Sequence, residues 1–420
     1  MKSYSLPYGN TELIFDLPDE SMVDVISPVD LPPAPNPLDE VRRSLLAPFG
    51  KTIKDFSGAA SAAIAINDKT RPVPHQHLLP PLLEMLQQIG VPRQSTFLVV
   101  ASGTHSPMPP SEYSDILPPE IIEKYPVISH NCEDDKMLVY IGNTSRNTPV
   151  YINRRYYEAD LKIAVGNIEP HHFMGFSGGA KSVSIGLTGR KTITANHSFL
   201  TDPRADIGVY EENPMRQDVE EIGDMVGVQF ALNAVLNSKK KIAFALAGNP
   251  RQVMEKGIEI VRDKCQVTVD TPYDLVIASP GGFPKDINLY QAQKGISHSS
   301  AIVRDGGVII LAAACPEGSG SQSFEQFMQG ISSCEEVFAK FEREGFKIGP
   351  HKAFQIARIA SKKHILLISQ LPPAMVRGWL MIPQADSHSA IQSAMQLLPN
   401  IAKIAIMPRA TNTIPRLRKS

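Results

Sequence analysis

The stretch from Glu169 to His197 concentrates side chains that can do chemistry. Histidines supply bases and metal ligands near neutral pH. A glycine pair lets the backbone approach a ligand closely, and a lysine in such a loop is a phosphate contact or a nucleophile. This concentration predicts one active site with a metal, a phosphorylated cofactor, or both. The residues in question are His171, His172, Gly178, Gly179, Lys181 and His197.

The segment from Gly175 to Ser182 reads G-F-S-G-G-A-K-S and is close to a Walker A phosphate loop. That motif requires glycine immediately before the lysine, but Ala180 stands there. No magnesium-binding aspartate after a strand is evident, so a P-loop NTPase is disfavoured. A helix that begins near Ala180 would still favour an anion at its first N–H groups. A plain tight turn at the glycine pair is the alternative.

Polar residues follow three apolar runs that read as buried parallel strands, namely Ser61–Asn67, Thr96–Ser102 and Leu161–Asn167. Ligands of parallel sheets sit at the carboxyl ends of the strands. We therefore expect the polar residues after these runs to lie together. They are Asp68, Thr70 and Arg71 after the first run, His105 after the second, and Glu169, His171 and His172 after the third.

Each of these residues also has a structural interpretation. Adjacent His171 and His172 cannot both face one point without special geometry, so we expect one to serve the site and the other to support it. His105 lies in a tight loop, for which we favour function. His197 alone is ambiguous between a metal ligand and a helix-cap residue. Arg71 suits a bidentate grip on a carboxylate or phosphate, although its loop also fits a helix N-cap.

A second cluster lies further along the chain, in Y-Q-A-Q-K-G at 290–295. Gln291 and Lys294 are three residues apart and share one face of a predicted helix. A solvated helical face explains this spacing as well as a binding role does.

The composition bounds the class of protein. A chain of 420 residues predicts two domains, and 42% apolar with 20% charged residues fits a globular protein. The net charge of −1 gives no support to nucleic acid or an anionic membrane as partner. Four widely spaced cysteines predict a reducing compartment, and we expect the cytoplasm. No signal peptide and no apolar run of the roughly 18 residues that span a membrane is evident.

Apolar strand-like runs alternate with helical patterns along the chain, which predicts α/β organisation with mainly parallel sheets. We place an N-terminal domain at 1–268 and a C-terminal domain at 269–407, and expect the tail 408–420 to pack on the first. The predicted strands of the second block are Asp274–Ser279, Gly307–Ala313, His364–Ser369 and Ala402–Ile406; Phe230–Leu236 is a further one in the first block.

Taken together, the motifs resemble the nickel-dependent lactate racemase family, the LarA-like proteins. The resemblance spans nearly the whole chain. It rests on N-D-K-T-R-P-V-P at 67–74, S-G-T-H at 102–105, E-P-H-H-F-M-G-F-S-G-G-A-K-S at 169–182, T-I-T-A-N-H at 192–197 and Y-Q-A-Q-K-G at 290–295.

The resemblance implies two α/β domains with the active site in the cleft between them. It also implies a nickel-pincer nucleotide, a pyridinium mononucleotide that holds nickel through two sulfurs and a ring carbon. In the family a lysine carries it through a thioamide and a histidine completes the nickel coordination; Lys181 and His197 match these. Other proteins build and load this cofactor. The further residues assigned to cofactor binding are Asp68, Thr70, Gly178, Gly179 and Ser182.

The resemblance further implies a racemase or epimerase that inverts C2 of a 2-hydroxy acid by hydride transfer to and from the cofactor. His105 and His171 match the two acid/base histidines, and Arg71 matches the arginine that positions the substrate carboxylate. Gln291 and Lys294 match residues near the substrate.

One departure from the family concerns the substrate pocket. Lactate racemase has a tryptophan in the second domain, but the corresponding region 349–358 has none, and Trp379 is the single tryptophan. A lactate-like substrate is one expectation, and a longer or more polar acid such as malate or a sugar acid is the other. A non-catalytic nickel or cofactor carrier is the alternative function; it would have no use for both His105 and His171.

Overall fold

The fold is described here by a computed structural model. It describes residues 2–19, 21–71, 73–347, 349–398 and 400–418. Pro72 of the predicted N-D-K-T-R-P loop and the last two residues of the tail lie outside these ranges.

The elements follow one another in mixed α/β order. The strands are β1 Lys2–Tyr8, β2 Thr11–Leu17, β3 Met22–Val25, β4 Ala62–Asn67, β5 Thr96–Ala101, β6 Val127–Ser129, β7 Leu138–Asn143, β8 Pro149–Asn153, β9 Leu161–Asn167, β10 Pro170–His171, β11 Gly175–Phe176, β12 Phe230–Leu236, β13 Ile242–Gly248, β14 Gln266–Val269, β15 Tyr273–Ala278, β16 Val303–Ala312, β17 His364–Ile368, β18 Ile382–Gln384, β19 Lys403–Met407 and β20 Ile414–Leu417.

The helices separate most of these strands. They are α1 Pro37–Leu46, α2 His75–Gln88, α3 Pro119–Lys124, α4 Arg154–Tyr157, α5 Lys181–Ser184, α6 Arg190–Ser198, α7 Pro214–Val226, α8 Pro250–Cys265, α9 Leu289–Ser300, α10 Gln322–Met328, α11 Cys334–Glu344, α12 Pro350–Ala360, α13 Pro373–Gly378 and α14 Ser387–Leu397. No described helix is both long enough and apolar enough to cross a membrane.

The chain divides into two compact units. Unit 1 contains the chain up to Val29 and again from Cys265 onward, and unit 2 is Asp30–Lys264. The sheet of unit 2 has the order β13-β12-β9-β4-β5-β6 and that of unit 1 the order β18-β17-β16-β15-β19-β3. Pairing is parallel throughout both, apart from the antiparallel pair of β12 and β13. The predicted α/β class is confirmed.

The central strands are buried on both faces. In β4 every residue but the last is buried, and side chains on the two faces join different apolar clusters. The sheet of unit 1 is covered in the same way. Helices on both faces leave no side of a central strand in water, so these strands read as continuous apolar runs rather than as alternating ones. This burial explains why the runs were recognisable in the sequence.

The predicted domain limits are wrong at both ends of the chain. The first strands belong to unit 1, because β3 pairs with β19 and the hairpin of β1 and β2 buries Leu6 and Phe15 against the unit 1 sheet. The tail also belongs to unit 1, because β20 pairs with β14. Local sequence pattern gave no register for these edge pairings, which tertiary contacts decide.

Several histidines outside the motifs are buried and neutral. Burial lowers the pKa of His75 and of His130 to about 4 in unit 2, and does the same for His298 in unit 1. His130 contacts the carbonyl oxygen of Thr188 through Nε2 at 3.0 Å, and Asn153 Nδ2 lies 3.2 Å from its Nδ1. The neutral ring satisfies both contacts by donating from Nε2 and accepting at Nδ1. A protonated ring would present a second N–H to the Asn153 donor.

We predict that acid destabilises the fold through these histidines. The unfolded chain takes up a proton near pH 6.5, whereas each folded histidine stays neutral down to about pH 4. The unfolded state therefore binds more protons in this window, and the free energy of unfolding falls as the pH falls through it. At about pH 5 the loss is about 2 kcal/mol for each histidine. Urea unfolding at about pH 7.5 and pH 5 measures it.

The variant His130→Gln should lose part of this pH dependence, because the amide keeps a donor and an acceptor but does not titrate in this range. The half-buried His77 of the same unit is the control. His77→Gln should keep the pH dependence of the wild-type protein. An unchanged dependence in His130→Gln would contradict the assignment.

Candidate active site

The candidate site lies at one edge of the unit 2 sheet. Strand β4 pairs with β5 on one side and with β9 on the other, all in parallel. The carboxyl ends of the three strands therefore meet at one edge, as expected from the sequence. The loop after β5 is tied to the segment after α5, because Gly103 N donates to Gly186 O at 3.0 Å.

Asp68 and His105 form a dyad across the ends of β4 and β5. The Asp68 carboxylate is buried, and its Oδ2 lies 2.6 Å from Nδ1 of the half-exposed His105. A carboxylate only accepts, so Nδ1 carries the hydrogen and Nε2 of the neutral ring keeps its lone pair. Burial would raise the pKa of the Asp68 carboxyl, but hydrogen bonds from His105 and Thr70 outweigh it and hold the pKa below its ordinary value. Asp68 thereby fixes the orientation and the tautomer of the His105 ring.

Thr70 and Arg71 complete this corner of the site. Thr70 Oγ1 donates to Asp68 Oδ1 at 2.6 Å and fixes the carboxylate from the other side. The guanidinium of Arg71 donates to the carbonyl oxygen of Thr70 at 3.3 Å, and its charge also lowers the pKa of Asp68. Asp68 and Thr70 were assigned to the cofactor from the resemblance. Their contacts here are with the candidate base, and the cofactor role stays a prediction.

His171 and His172 lie in an aromatic cluster after β9. Their rings stack with centroids 4.8 Å apart. Phe173 meets both rings edge-on and also meets the ring of His197, with centroids 5.5 Å apart. The N–H of Met174 donates to Nδ1 of His171 at 3.3 Å, so the hydrogen of neutral His171 is on Nε2. The neutral ring of His105 therefore carries its hydrogen on Nδ1, whereas that of His171 carries it on Nε2.

The positive charge of Lys181 acts on the imidazole of His197. Burial and, to a smaller extent, the positive charge of Lys181 together lower the pKa of His197 to about 3. The imidazole is therefore neutral near pH 7, and the neutral ring is the form that binds metals. Among the described residues, no group of three or more His, Cys, Asp or Glu side chains is arranged to hold a metal ion.

The backbone of the glycine loop that carries Lys181 is hydrogen-bonded to the side chains of Arg216 and Asn233. Neither residue was predicted from the sequence. The fully buried guanidinium of Arg216 donates to the carbonyl oxygens of Phe176 and Gly178, each at 3.1 Å, and pairs with Glu220 at 2.6 Å. Asn233 Oδ1 accepts the N–H of Gly179 at 2.6 Å. These contacts fix the path of the loop backbone. The available signal for Arg216 was its spacing of four residues from Glu220 on a helix.

The residues around this loop fit a polar ligand. Within the described chain, Asn67 Oδ1, Ser182 Oγ and Asn233 Nδ2 are buried and have no hydrogen-bond partner. Buried polar atoms in this state are costly. Ser182 Oγ and Asn233 Nδ2 can donate to a phosphate oxygen, whereas Asn67 Oδ1 requires a donor such as a ribose hydroxyl. Helix α5 begins at Lys181 as predicted but ends at Ser184, so its dipole contributes little to anion binding.

Gln291 and Lys294 lie on α9 of unit 1 and share one helix face as predicted. Lys294 Nζ donates to Gln291 Oε1 at 2.7 Å, and Asn288 caps the helix by accepting the N–H of Gln291. Both side chains are half-buried, so the alternative of a fully solvated face is wrong. Their role toward a substrate stays a prediction.

Comparison with known proteins identifies the family of this chain. The domain description "lactate racemase N-terminal domain" matches residues 8–208, and "lactate racemase C-terminal domain" matches residues 268–414. The lactate racemase of Thermoanaerobacterium thermosaccharolyticum is 32% identical over 99% of this chain and its own full length. That of Lactiplantibacillus plantarum is 30% identical over the same shares. The chain belongs to the lactate racemase family.

Solved structures give the same result. The lactate racemase apoprotein from T. thermosaccharolyticum matches with a TM-score of 0.93 and 32% identity over 99% of this chain and 100% of that one. A protein from Thermotoga maritima, 17% identical, matches with a TM-score of 0.67 over 91% of this chain and 97% of that one, and shares the fold.

We predict that Gly179→Ala destabilises unit 2 more than Gly227→Ala does. Both glycines have positive φ, +60° and +74°, so an added Cβ strains each backbone by about 1 kcal/mol. At Gly179 the new Cβ would also lie 2.5 Å from the Met254 side chain and 3.1 Å from Arg216, whereas at Gly227 nothing lies within 4 Å. Overlap adds about 1–3 kcal/mol. Urea unfolding compares the two, and equal losses would contradict a rigid loop.

Proposed function

We propose that this protein is a racemase or epimerase that inverts C2 of a 2-hydroxy carboxylic acid. Its curated relatives are named lactate racemases. The observation that carries the proposal is the dyad of Asp68 and His105, 2.6 Å apart, at the sheet edge where His171 and the Lys181 loop also begin. A carboxylate–imidazole pair arranged in this way is a general base for a hydroxyl proton.

We further propose a nickel-pincer nucleotide as the cofactor. Lys181 would carry it, His197 would bind its metal as a neutral imidazole, and Ser182 with Asn233 would meet its polar groups. These residues fit because His197 is neutral at pH 7 and because the buried polar atoms near the loop need partners. When bound, such a cofactor supplies a hydride acceptor, so that C2 can be inverted without a carbanion beside the carboxylate.

The protein's own residues would handle the carboxylate and the hydroxyl proton. Arg71 would hold the substrate carboxylate through two parallel N–H donors. His105 would take the hydroxyl proton on Nε2, and Asp68 would stabilise the imidazolium that forms. His171 would act on the opposite face. To accept a proton on Nε2 it must first release the 3.3 Å hydrogen bond from Met174, because its neutral ring otherwise carries hydrogen there.

Two alternatives predict different behaviour. A non-catalytic carrier of the cofactor would need Lys181 and His197 but not a base oriented by Asp68. A phosphate-binding NTPase is disfavoured because the Walker A motif requires glycine at the position of Ala180. The mass and metal content of protein loaded with the cofactor separate the NTPase from the other two, and turnover separates the carrier from the enzyme.

We predict that Asp68→Asn lowers kcat by about 100-fold or more, because the amide can donate to Nδ1 and favour the wrong tautomer of His105. KM should change much less, since Asp68 does not bind the carboxylate. Steady-state racemisation kinetics measure both constants. Asp115→Asn, at an exposed position of the same unit, should leave them unchanged. If Asp68→Asn kept the kcat of the wild-type enzyme, the dyad of Asp68 and His105 would not take part in the mechanism.

We also predict that the hydrogen on C2 does not exchange with solvent during inversion. Substrate deuterated at C2 should give inverted product that keeps most of its deuterium in ordinary water. His105→Ala and His171→Ala should each lose most activity, because each direction needs one base and one acid. Mass spectrometry of the product follows the label. Rapid loss of deuterium to solvent during turnover would contradict hydride transfer and would indicate proton abstraction at C2 instead.

A further inference from the structure

Helix α6 carries the proposed metal ligand and is anchored by polar contacts. Its buried side chains are those of Thr192, Asn196 and Ile193, and the first two are polar. Thr192 Oγ1 donates to the carbonyl oxygen of Pro149 at 2.7 Å and accepts the N–H of Tyr151 at 2.9 Å, which ties the helix to β8. Hydrogen bonds are directional, whereas apolar contacts are not, so polar contacts can fix where a short helix lies.

Asn196 ties the last turn of α6 to α7 through its amide nitrogen. The side chain is fully buried, and Nδ2 donates to Asp218 Oδ2 at 2.8 Å and to the carbonyl oxygen of Met215 at 3.0 Å. Within the described chain its Oδ1 has no hydrogen-bond partner. An unpaired buried oxygen is costly, and a leucine at this position would avoid that cost. Packing alone therefore does not explain the amide, whereas its two donated hydrogen bonds do.

Asp218 is a fully buried carboxylate that joins three segments of unit 2. In addition to the amide of Asn196, Thr144 Oγ1 donates to its Oδ1 at 2.6 Å and Thr148 Oγ1 donates to its Oδ2 at 3.0 Å. Both threonines lie in the turn between β7 and β8. Burying a carboxylate is costly unless it is well hydrogen-bonded. Because hydrogen bonds to a carboxylate are short and directional, this arrangement holds the turn, α6 and α7 in one geometry.

Helix α7 holds the Lys181 loop as well as α6. Arg216 of this helix binds two carbonyl oxygens of the loop through its guanidinium. Ser184 Oγ at the end of α5 donates to the carbonyl oxygen of Val219 at 2.7 Å. One helix therefore anchors both the segment that carries Lys181 and the segment that carries His197. A shared anchor fixes the separation of these two groups more closely than two independent ones would.

We infer that Asp218, acting through Asn196, positions the imidazole of His197 for metal binding. This inference rests on the proposed nickel-pincer cofactor, which has to reach both Lys181 and His197. A bond between a metal and an imidazole nitrogen is only about 2 Å long, so a small shift of α6 would weaken it. Asp218 and Asn196 are positioning residues in this account and not metal ligands.

The first test records X-ray absorption at the nickel edge of enzyme loaded with the cofactor. Scattering from the outer atoms of an imidazole ring shows whether His197 is bound to the metal, independently of turnover. We expect this signal in the wild-type enzyme and its loss in Asn196→Ala, because alanine keeps the helix but removes the amide donors. The matched control is Thr148→Ala, which removes a donor from the same Asp218 oxygen without a change in α6, and it should keep the signal.

The kinetics of the same two variants provide a second readout. Asn196→Ala should lower kcat by about 30-fold or more and change KM by less than about threefold, because the imidazole of His197 does not hold the substrate carboxylate. Thr148→Ala should change neither constant by more than about threefold, although it loses a hydrogen bond to the same carboxylate. Thermal melts followed by circular dichroism show whether both variants are folded and whether their losses of stability are similar.

Asp218→Asn is the conservative variant. Its amide oxygen can still accept from Asn196 and Thr148, and its amide nitrogen can donate to Thr144 Oγ1. We therefore expect Asp218→Asn to keep the imidazole signal, whereas Asp218→Leu, which accepts no hydrogen bond, should lose it. Loss of the signal in a folded Asp218→Asn would contradict positioning by hydrogen-bond geometry and would overturn the inference.

The remaining outcomes separate the inference from the proposed function. A folded Asn196→Ala that keeps the imidazole signal would overturn the inference and leave the proposed function intact. Equal losses of kcat in Asn196→Ala and Thr148→Ala would assign the network a structural role and would also overturn it. A loaded wild-type enzyme without the signal would instead contradict the metal role of His197, and the inference with it. If Asn196→Ala does not fold, Asn196→Ser takes its place with the same expected loss, because a hydroxyl has one hydrogen and can donate to only one of the two acceptors.

Discussion

Parallel pairing of β4 with both β5 and β9 is the constraint on which the candidate site depends. It makes three separate chain segments end at one sheet edge, so that Asp68 can reach His105 although they are far apart in sequence. The same pairing places the start of the His171 cluster at that edge. Burial of the strands on both faces makes the pairing costly to shift, since a slip by one residue would move every side chain to the other face. The positions of Asp68 and His105 are therefore fixed by the core.

The buried guanidinium of Arg216 is compensated by the groups around it. In unit 2 the guanidinium of Arg216 is paired with Glu220 and bound by two carbonyl oxygens, which satisfies a fully desolvated cation. A compensated ion pair is suited to holding a loop in place.

Neutral histidines have two uses in this protein. His130 stays neutral because it is buried, and its two ring nitrogens contact Thr188 and Asn153 within the fold. His197 stays neutral through burial and the charge of Lys181, which leaves it competent to bind a metal. Burial thus keeps both His130 and His197 neutral. The residues around each ring determine whether it is available to bind a ligand. For this reason a histidine count by itself says little about function.

The sequence by itself determined the α/β class, the positions of the central strands and the set of polar residues that follow them. Each of these is local: strands buried on both faces are continuous apolar runs, and Leu161–Asn167 and Phe230–Leu236 were predicted to the residue. The motifs around His105, His171 and Lys181 also gave the family. Only the tertiary structure decided that Asp68 orients His105, that Arg216 holds the glycine loop and that the first strands join unit 1. Those depend on contacts between residues distant in sequence, for which spacing and periodicity carry no information.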